Sequence, residues 1–443
     1  MKESKLLIKN ARIIDPANGI DESGDILIAD GKILRTGTDI AAAGATVIDA
    51  SGLTACPGFI DLHCHLRQPG YEEKETIASG AAAAARGGYT TVCCMPNTSP
   101  PLDNAAIIGH VKDIAAREAP LITILPVGCI SKGRAGRELA DLAELADAGC
   151  IGFSDDGSPV SSSSLMTLSM QNAAVLDLPL IDHCEDLQLS QGGHINDGWV
   201  AVRLGLKGIP AAAEEAMVAR DIALCELTGA RLHITHISTG GSMELVRNAK
   251  SRGLKVTCDA TPHHLTLTHE RVMKAQGGPG AALAYDTNAR VNPPLRSSAD
   301  VDALIRGIND GTIDAIATDH APHTMEDKLC EFENAAPGIS GFETAFGTLM
   351  DLVHTGRIDL NALIACLTSG PARALKNAGG TLRPGARADI ALLDTGREWT
   401  VDVNDFLSRG RNTPFDGCKL KGMVVATINC GRFAYRHNSL RIS

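Results

Sequence analysis

From about residue 58 onward the sequence alternates short apolar runs with longer, alanine-rich stretches of helical character. The apolar runs fall at residues 59–62, 90–95, 121–127, 150–153, 178–181, 231–237, 255–258 and 313–317. Parallel strands are joined by crossovers, and the usual crossover is a helix. Eight such strand–helix units over about 300 residues is the arithmetic of a (β/α)8 TIM-type barrel, an α/β fold. A doubly wound open sheet shares the alternation, and periodicity alone does not separate the two. The five alanines at 81–85, followed by Arg86-Gly87-Gly88, read as a tightly packed helix with a glycine stop.

The two chain ends read differently. Residues 6–14 and 25–34 are rich in Ile and Leu, with Asp30-Gly31 placed as a hairpin turn. After Pro371 the strand pattern returns at residues 389–393 and 423–428. The simplest organisation is a small β-sandwich domain built from residues 1–55 and 375–443, with the barrel, residues 56–374, inserted between. Residues 276–290, which include Gly277, Gly278 and Gly280, are the longest structureless candidate and long enough for an active-site loop.

Composition excludes several classes of function. With 41 Lys and Arg against 52 Asp and Glu, the net charge of −11 disfavours nucleic acid, which needs clustered cations. Aromatic residues at 3% leave little for a base-stacking surface. The 13 cysteines are odd in number and show no CxxC pair, so they read as buried free thiols of a reducing, cytoplasmic compartment. No apolar run approaches the roughly 18 residues of a membrane span, and the first residues do not resemble a signal peptide.

The chemistry concentrates at strand ends. In Phe59-Ile60-Asp61-Leu62-His63-Cys64-His65-Leu66-Arg67, alternation puts His63 and His65 on one face and Cys64 on the other. Two imidazoles on one face can share a cation. Later strands end in Asp155-Asp156-Gly157, His183, His236 and Asp319. In a barrel all strand C-termini open on one mouth, so these residues converge there. Four His and two carboxylates exceed what one ion uses, and suit a pair of divalent metals sharing a carboxylate. Neutral imidazole with carboxylate favours Zn²⁺. Arg67, two residues beyond the pair, offers a planar fork for a carboxylate.

These motifs, together with Met95-Pro96-Asn97-Thr98, Phe153-Ser154-Asp155-Asp156-Gly157, His183-Cys184-Glu185-Asp186, His236-Ile237-Ser238-Thr239, Thr261-Pro262-His263-His264-Leu265, Asn292-Pro293-Pro294-Leu295-Arg296, Ala317-Thr318-Asp319-His320-Ala321-Pro322-His323 and Asn412-Thr413-Pro414-Phe415, resemble the class I dihydroorotases of the amidohydrolase superfamily, essentially end to end. The resemblance implies two Zn²⁺ ions: His63, His65 and Asp319 on the first, His183 and His236 on the second. Many relatives bridge the metals with a carboxylated lysine on the fourth strand. No lysine lies near residues 151–153 here, and the resemblance puts Asp156, rather than Asp155, in that place. It also implies that Arg67, Asn97 and His323 hold a ring carboxylate and that Asn292 contacts the ring amides. His263, His264 and His320 are read as structural, and Lys132 as a loop residue.

The implied reaction is reversible hydrolysis of (S)-dihydroorotate to N-carbamoyl-L-aspartate, a step of pyrimidine biosynthesis. A metal-bridging hydroxide attacks, and Asp319 acts as general base and then general acid. A homodimer and an association with aspartate transcarbamoylase are further implications. The rival readings are another cyclic amidohydrolase (hydantoinase, dihydropyrimidinase or allantoinase), a deaminase of the same fold, and a non-catalytic assembly partner.

Overall fold

Eight segments pair side by side, each parallel to the next. In this computed structural model, which describes residues 5–41, 44–275, 283–376 and 379–442, the strand Phe59–Cys64 pairs with Tyr89–Cys94, and that strand with Thr123–Pro126. Farther along, Pro179–Asp182, Arg231–Ile234, Val256–Ala260 and Ala315–Ile316 pair in the same sequential, parallel order. Phe153 bridges Gly128 on one side and Leu180 on the other, joining the two groups. The succession then returns to its start: Cys64 bridges His320, and the His65 N–H donates to the His320 carbonyl at 2.9 Å.

The fourth segment, expected at residues 150–153, forms bridges at Phe153 alone rather than a regular strand. Its reach is cut short at both ends. Gly149 turns with φ +102° just before it, and the Asp155 to Ser158 turn begins just after. A Cβ on Gly152 would lie 2.9 Å from the Pro179 carbonyl, so the backbones approach more closely than a side chain would allow.

The alanine run forms the helix Ile77–Arg86, which starts on a Thr76–Ser79 capping box and stops at Gly87. Ala81, Ala83, Ala84 and Ala85 are buried; their small side chains let the helix lie close on the strands.

Both chain ends contribute to one nine-stranded sheet. The N-terminal strands Leu6–Asp15, Ile20–Ala29, Lys32–Gly37, Thr46–Asp49 and Thr54–Pro57 join Ile390–Thr400, Lys419–Asn429, Arg432–Arg436 and Arg441–Ile442. The seam is the antiparallel pairing of Thr54–Pro57 with Ile390–Thr400. Asp30 and Gly31 both take positive φ, the backbone of a tight hairpin turn. Ile8, Ile26, Ile48, Ile390, Leu392 and Ile428 pack into one apolar cluster of this sheet. The opposite side of Ile390–Thr400 contributes Ala391 and Leu393 to the large core shared with Phe59 and Tyr89.

Of the stretch 276–290, residues 276–282 lie outside the described residues. The rest is not structureless. Leu283–Tyr285 pairs antiparallel with Met273–Ala275, and Thr287–Ala289 forms a 3-10 turn. A ladder of three residue pairs is too short to leave a readable alternation in sequence. All thirteen cysteines are free and ten are buried. Among the described residues no helix is long and apolar enough to cross a membrane.

Candidate active site

Five of the eight strand ends deliver side chains to one point. His63 and His65 leave the first strand on the same side, their Nε2 atoms 3.3 Å apart. Cys64 points the other way, its thiol reaching the Cys93 carbonyl at 3.3 Å. Asp319 Oδ1 lies 3.0 Å from His65 Nε2 and 3.5 Å from His63 Nε2. On the other side, His183 Nδ1 and His236 Nε2 are 3.0 Å apart. Asp156 stands between the two groups. Its Oδ1 is 3.4 Å from His63 and 3.7 Å from both His183 and His236, and its Oδ2 is 3.7 Å from His65.

Asp155, its neighbour, faces elsewhere. One oxygen accepts the N–H groups of Ile130 and Ser131 at 2.9 and 3.1 Å, and the other takes the Ser131 hydroxyl. The turn after Phe153 thus sends one carboxylate to the cluster and uses the other to tie down the preceding loop.

The outward ring nitrogens are fixed by partners. His63 Nδ1 donates to Thr235 Oγ1 at 2.8 Å, and that hydroxyl donates to Asp259 at 3.1 Å. His65 Nδ1 donates to Asn97 Oδ1 at 2.9 Å, and His183 Nε2 to Glu185 at 3.1 Å. In each case the partner fixes the outward ring nitrogen and leaves the other nitrogen facing the cluster, the usual arrangement around a metal-ligating imidazole. His236 differs: its backbone N–H is held by Asp259 at 2.7 Å, while its Nδ1 is buried without a hydrogen-bond partner. His236, Asp319 and Arg67 all hold left-handed backbone, φ +38°, +46° and +61°. Such strain of non-glycine residues gathers where a site dictates side-chain direction.

The donor set fits divalent cations. Tetrahedral ligands about 2.0–2.1 Å from an ion lie roughly 3.3–3.5 Å from one another, close to the spacings within the cluster. His63, His65 and Asp319 form one compact group of possible ligands, and His63, Asp156 and His236 another. Electrostatics agree. Burial alone would raise the Asp156 carboxyl, but His63 and His236 beside it hold it well below the usual carboxylate range. Asp319 is likewise held low, against burial, by His65 and His63. Both are anionic, as ligands must be.

Beyond the cluster a cavity of about 240 Å³ is lined by His65, Arg67, Asn97, Asp156, His183 and His236, and by Asn292, Asp319 and His323. Of the ten site residues expected from sequence, His63 alone lies beneath the cavity rather than on its wall. Arg67 donates to the Pro322 carbonyl at 3.2 Å, and its Nη2 lies 3.2 Å from His323 Nε2. Burial, then the Arg67 cation, pull His323 down to about 3, so its ring is neutral. Asn292 donates to Glu185 at 2.9 Å.

Glu185, Thr235 and Asp259 escaped the sequence reading as site residues. Glu185 carried a signal: it follows His183 at the same i, i+2 spacing as the first histidine pair. Nothing local pointed to Thr235 or Asp259. Glu185→Gln is expected to weaken metal retention by about 10–100-fold, the usual cost of losing an outer carboxylate. Chelator competition measures it, and unchanged retention would show that Glu185 does not orient His183. Two of the other histidines, His320 and His264, sit in separate networks. His320 contacts Glu75 at 3.3 Å and accepts the Gly341 N–H at 3.1 Å, and His264 donates to the Pro293 carbonyl at 2.9 Å.

Comparison with known proteins agrees with this geometry. Residues 52–242 match the family described as dihydro-orotase-like. A dihydroorotase of Geobacter sp. (strain M21) is 49% identical over 97% of this chain and 99% of its own. The dihydroorotase of Pelotomaculum thermopropionicum is 49% identical over 99% of this chain and 100% of its own. Among solved structures, the L-hydantoinase (dihydropyrimidinase) from Arthrobacter aurescens superposes with a TM-score of 0.84 at 25% identity, covering 98% of this chain and 97% of that one. With identity near one half along almost the whole length, the chain belongs to the dihydroorotase family.

Proposed function

We propose that this chain is a metal-dependent dihydroorotase. It opens the cyclic amide of (S)-dihydroorotate to N-carbamoyl-L-aspartate and runs the reverse closure in pyrimidine biosynthesis. The observation that carries this reading is the pairing of two features on one cavity. Three histidines and the two carboxylates of the cluster form one wall, with His63 beneath it, and Arg67 beside a neutral His323 forms an anion receptor on another. We read the ring of parallel strands as a (β/α)8 barrel spanning residues 56–374. Residues 1–55 and 375–443 then make the small β-sandwich domain.

His63, His65 and Asp319 would hold one Zn²⁺, His183 and His236 the second, with Asp156 between them. When bound, the ions supply Lewis acidity, lowering the pKa of water and polarising a carbonyl. Asp319 is ionised and faces the cavity, so it can accept the proton of the attacking water and deliver it to the leaving ring nitrogen. Arg67 and His323 fix the ring carboxylate, which sets the amide carbon over the cluster. Asn292 contacts the ring amides, and Asn97 combines a place on the substrate wall with its hydrogen bond to His65. In the reverse direction the ureido nitrogen attacks the side-chain carboxyl and water leaves.

A hydantoinase-type activity on neutral rings is the second reading, favoured by the likeness to the Arthrobacter aurescens enzyme. A ring without a carboxylate would leave Arg67 unanswered in a largely buried wall. Assays on dihydroorotate and carbamoyl-aspartate, with dihydrouracil, hydantoin and allantoin as controls and metal analysis on the same sample, separate the two. Activity confined to the neutral rings would overturn the main reading. Arg67→Gln is expected to raise KM for dihydroorotate by about tenfold or more, the loss of a charge-assisted contact, with a smaller change in kcat. Unchanged kinetics on that substrate would remove the carboxylate clamp.

A further inference from the structure

The connection between the strands Ile390–Thr400 and Lys419–Asn429 of the terminal sheet runs up to the cavity wall. It contains Asn412, a buried residue that the reaction scheme leaves unused. Its amide group is fully engaged. Nδ2 donates to the carbonyls of Ala321 and Gly338, both at 3.0 Å. Oδ1 accepts the His323 backbone N–H at 2.9 Å and the Ser340 hydroxyl at 2.8 Å. The Asn412 carbonyl also accepts the Ser340 N–H at 2.8 Å. Ala321, His323 and Gly338 line the cavity; Asn412 is not on its wall but behind it. The approach is close: a Cβ on Gly410 would lie 2.3 Å from Ser340 Oγ and 2.5 Å from Pro322 Cβ.

We propose that Asn412 is a positioning residue for substrate specificity. One side chain cross-links segment 321–323, which carries both groups that Arg67 contacts, the Pro322 carbonyl and His323, to segment 338–340. Asn412 thereby fixes the separation of the guanidinium and the imidazole that receive the ring carboxylate. The inference rests on the dihydroorotase reading and assigns part of that specificity to the terminal sheet. An amide suits the task because it offers two donors and an acceptor on one rigid plane. A shorter or apolar residue would leave two carbonyls and one N–H buried and unpaired.

The test is a double-mutant cycle on the full-length, metal-loaded protein. Asn412→Ala is expected to raise KM for dihydroorotate about tenfold, with kcat within about twofold and metal content unchanged. A residue that only stabilised the fold would lower the melting temperature without this split. In a His323→Ala background the Asn412→Ala change should add less than about twofold to KM, since both act on one contact. If Asn412→Ala does not fold, Asn412→Asp takes its place, keeping the acceptor for His323 while setting a carboxylate oxygen against the two carbonyls. A folded variant whose KM stays within about twofold of wild type, or a cycle that is fully additive, overturns the proposal. Wild-type protein inactive on dihydroorotate, or His323→Ala with unchanged KM, would instead remove the underlying reading and this inference with it.

Discussion

Asp319→Asn is expected to lower kcat for ring opening by about 10³-fold or more while bound metal is retained. The magnitude is that of losing a positioned general base and acid. Asparagine keeps the shape of the side chain and an oxygen that can face a cation, but it cannot accept and return a proton. The environment argues that the wild-type group is ready for the task. Asp319 Oδ1 sits 3.0 Å from His65 Nε2, and its carboxyl is held ionised despite burial. Steady-state kinetics and metal analysis on one preparation decide the matter. Near wild-type kcat would show that Asp319 is not the proton shuttle, and loss of metal would assign it to ligation alone.

The second large effect separates two adjacent aspartates. Asp156→Ala is expected to release metal and to lower activity by about 10³-fold, the scale of losing Lewis-acid assistance. Among the described residues it is the carboxylate whose oxygens approach all four cluster histidines. Asp155→Ala should leave the metal in place. It instead strips the acceptor from the N–H groups of Ile130 and Ser131, at a cost of about 1–3 kcal/mol of stability. Metal content and thermal melting, measured on both variants, should move in opposite patterns. If Asp155→Ala lost the metal and Asp156→Ala did not, the assignment within the pair would be reversed.

Much of this was legible from local rules. The i, i+2 spacing of His63 and His65 specified a shared face, and the structure places both rings in one cluster with Cys64 turned away. The Asp30-Gly31 hairpin and the glycine stop after Arg86 were readable because each depends on backbone geometry within a few residues. The fourth strand was less so. Phe153 makes parallel bridges on both sides, yet Gly149 and the Asp155 to Ser158 turn leave no room for a regular run. The short ladder of Leu283–Tyr285 with Met273–Ala275 was missed because three pairs carry too little pattern.

By itself the sequence determined the alternation of strands and helices, the strand ends where His63, His65, His183, His236 and Asp319 fall, and the presence of a cation in Arg67 close to them. Those are consequences of periodicity, which acts between neighbours along the chain. Only the tertiary structure decided which of Asp155 and Asp156 faces the cluster, that Glu185 turns His183, and that Asn412 braces a wall 91 residues away at Ala321. Each of these depends on where a turn or a distant segment comes to rest. A hydrogen bond acts over about 3 Å in space whatever the separation in sequence, so its partner cannot be read from spacing along the chain.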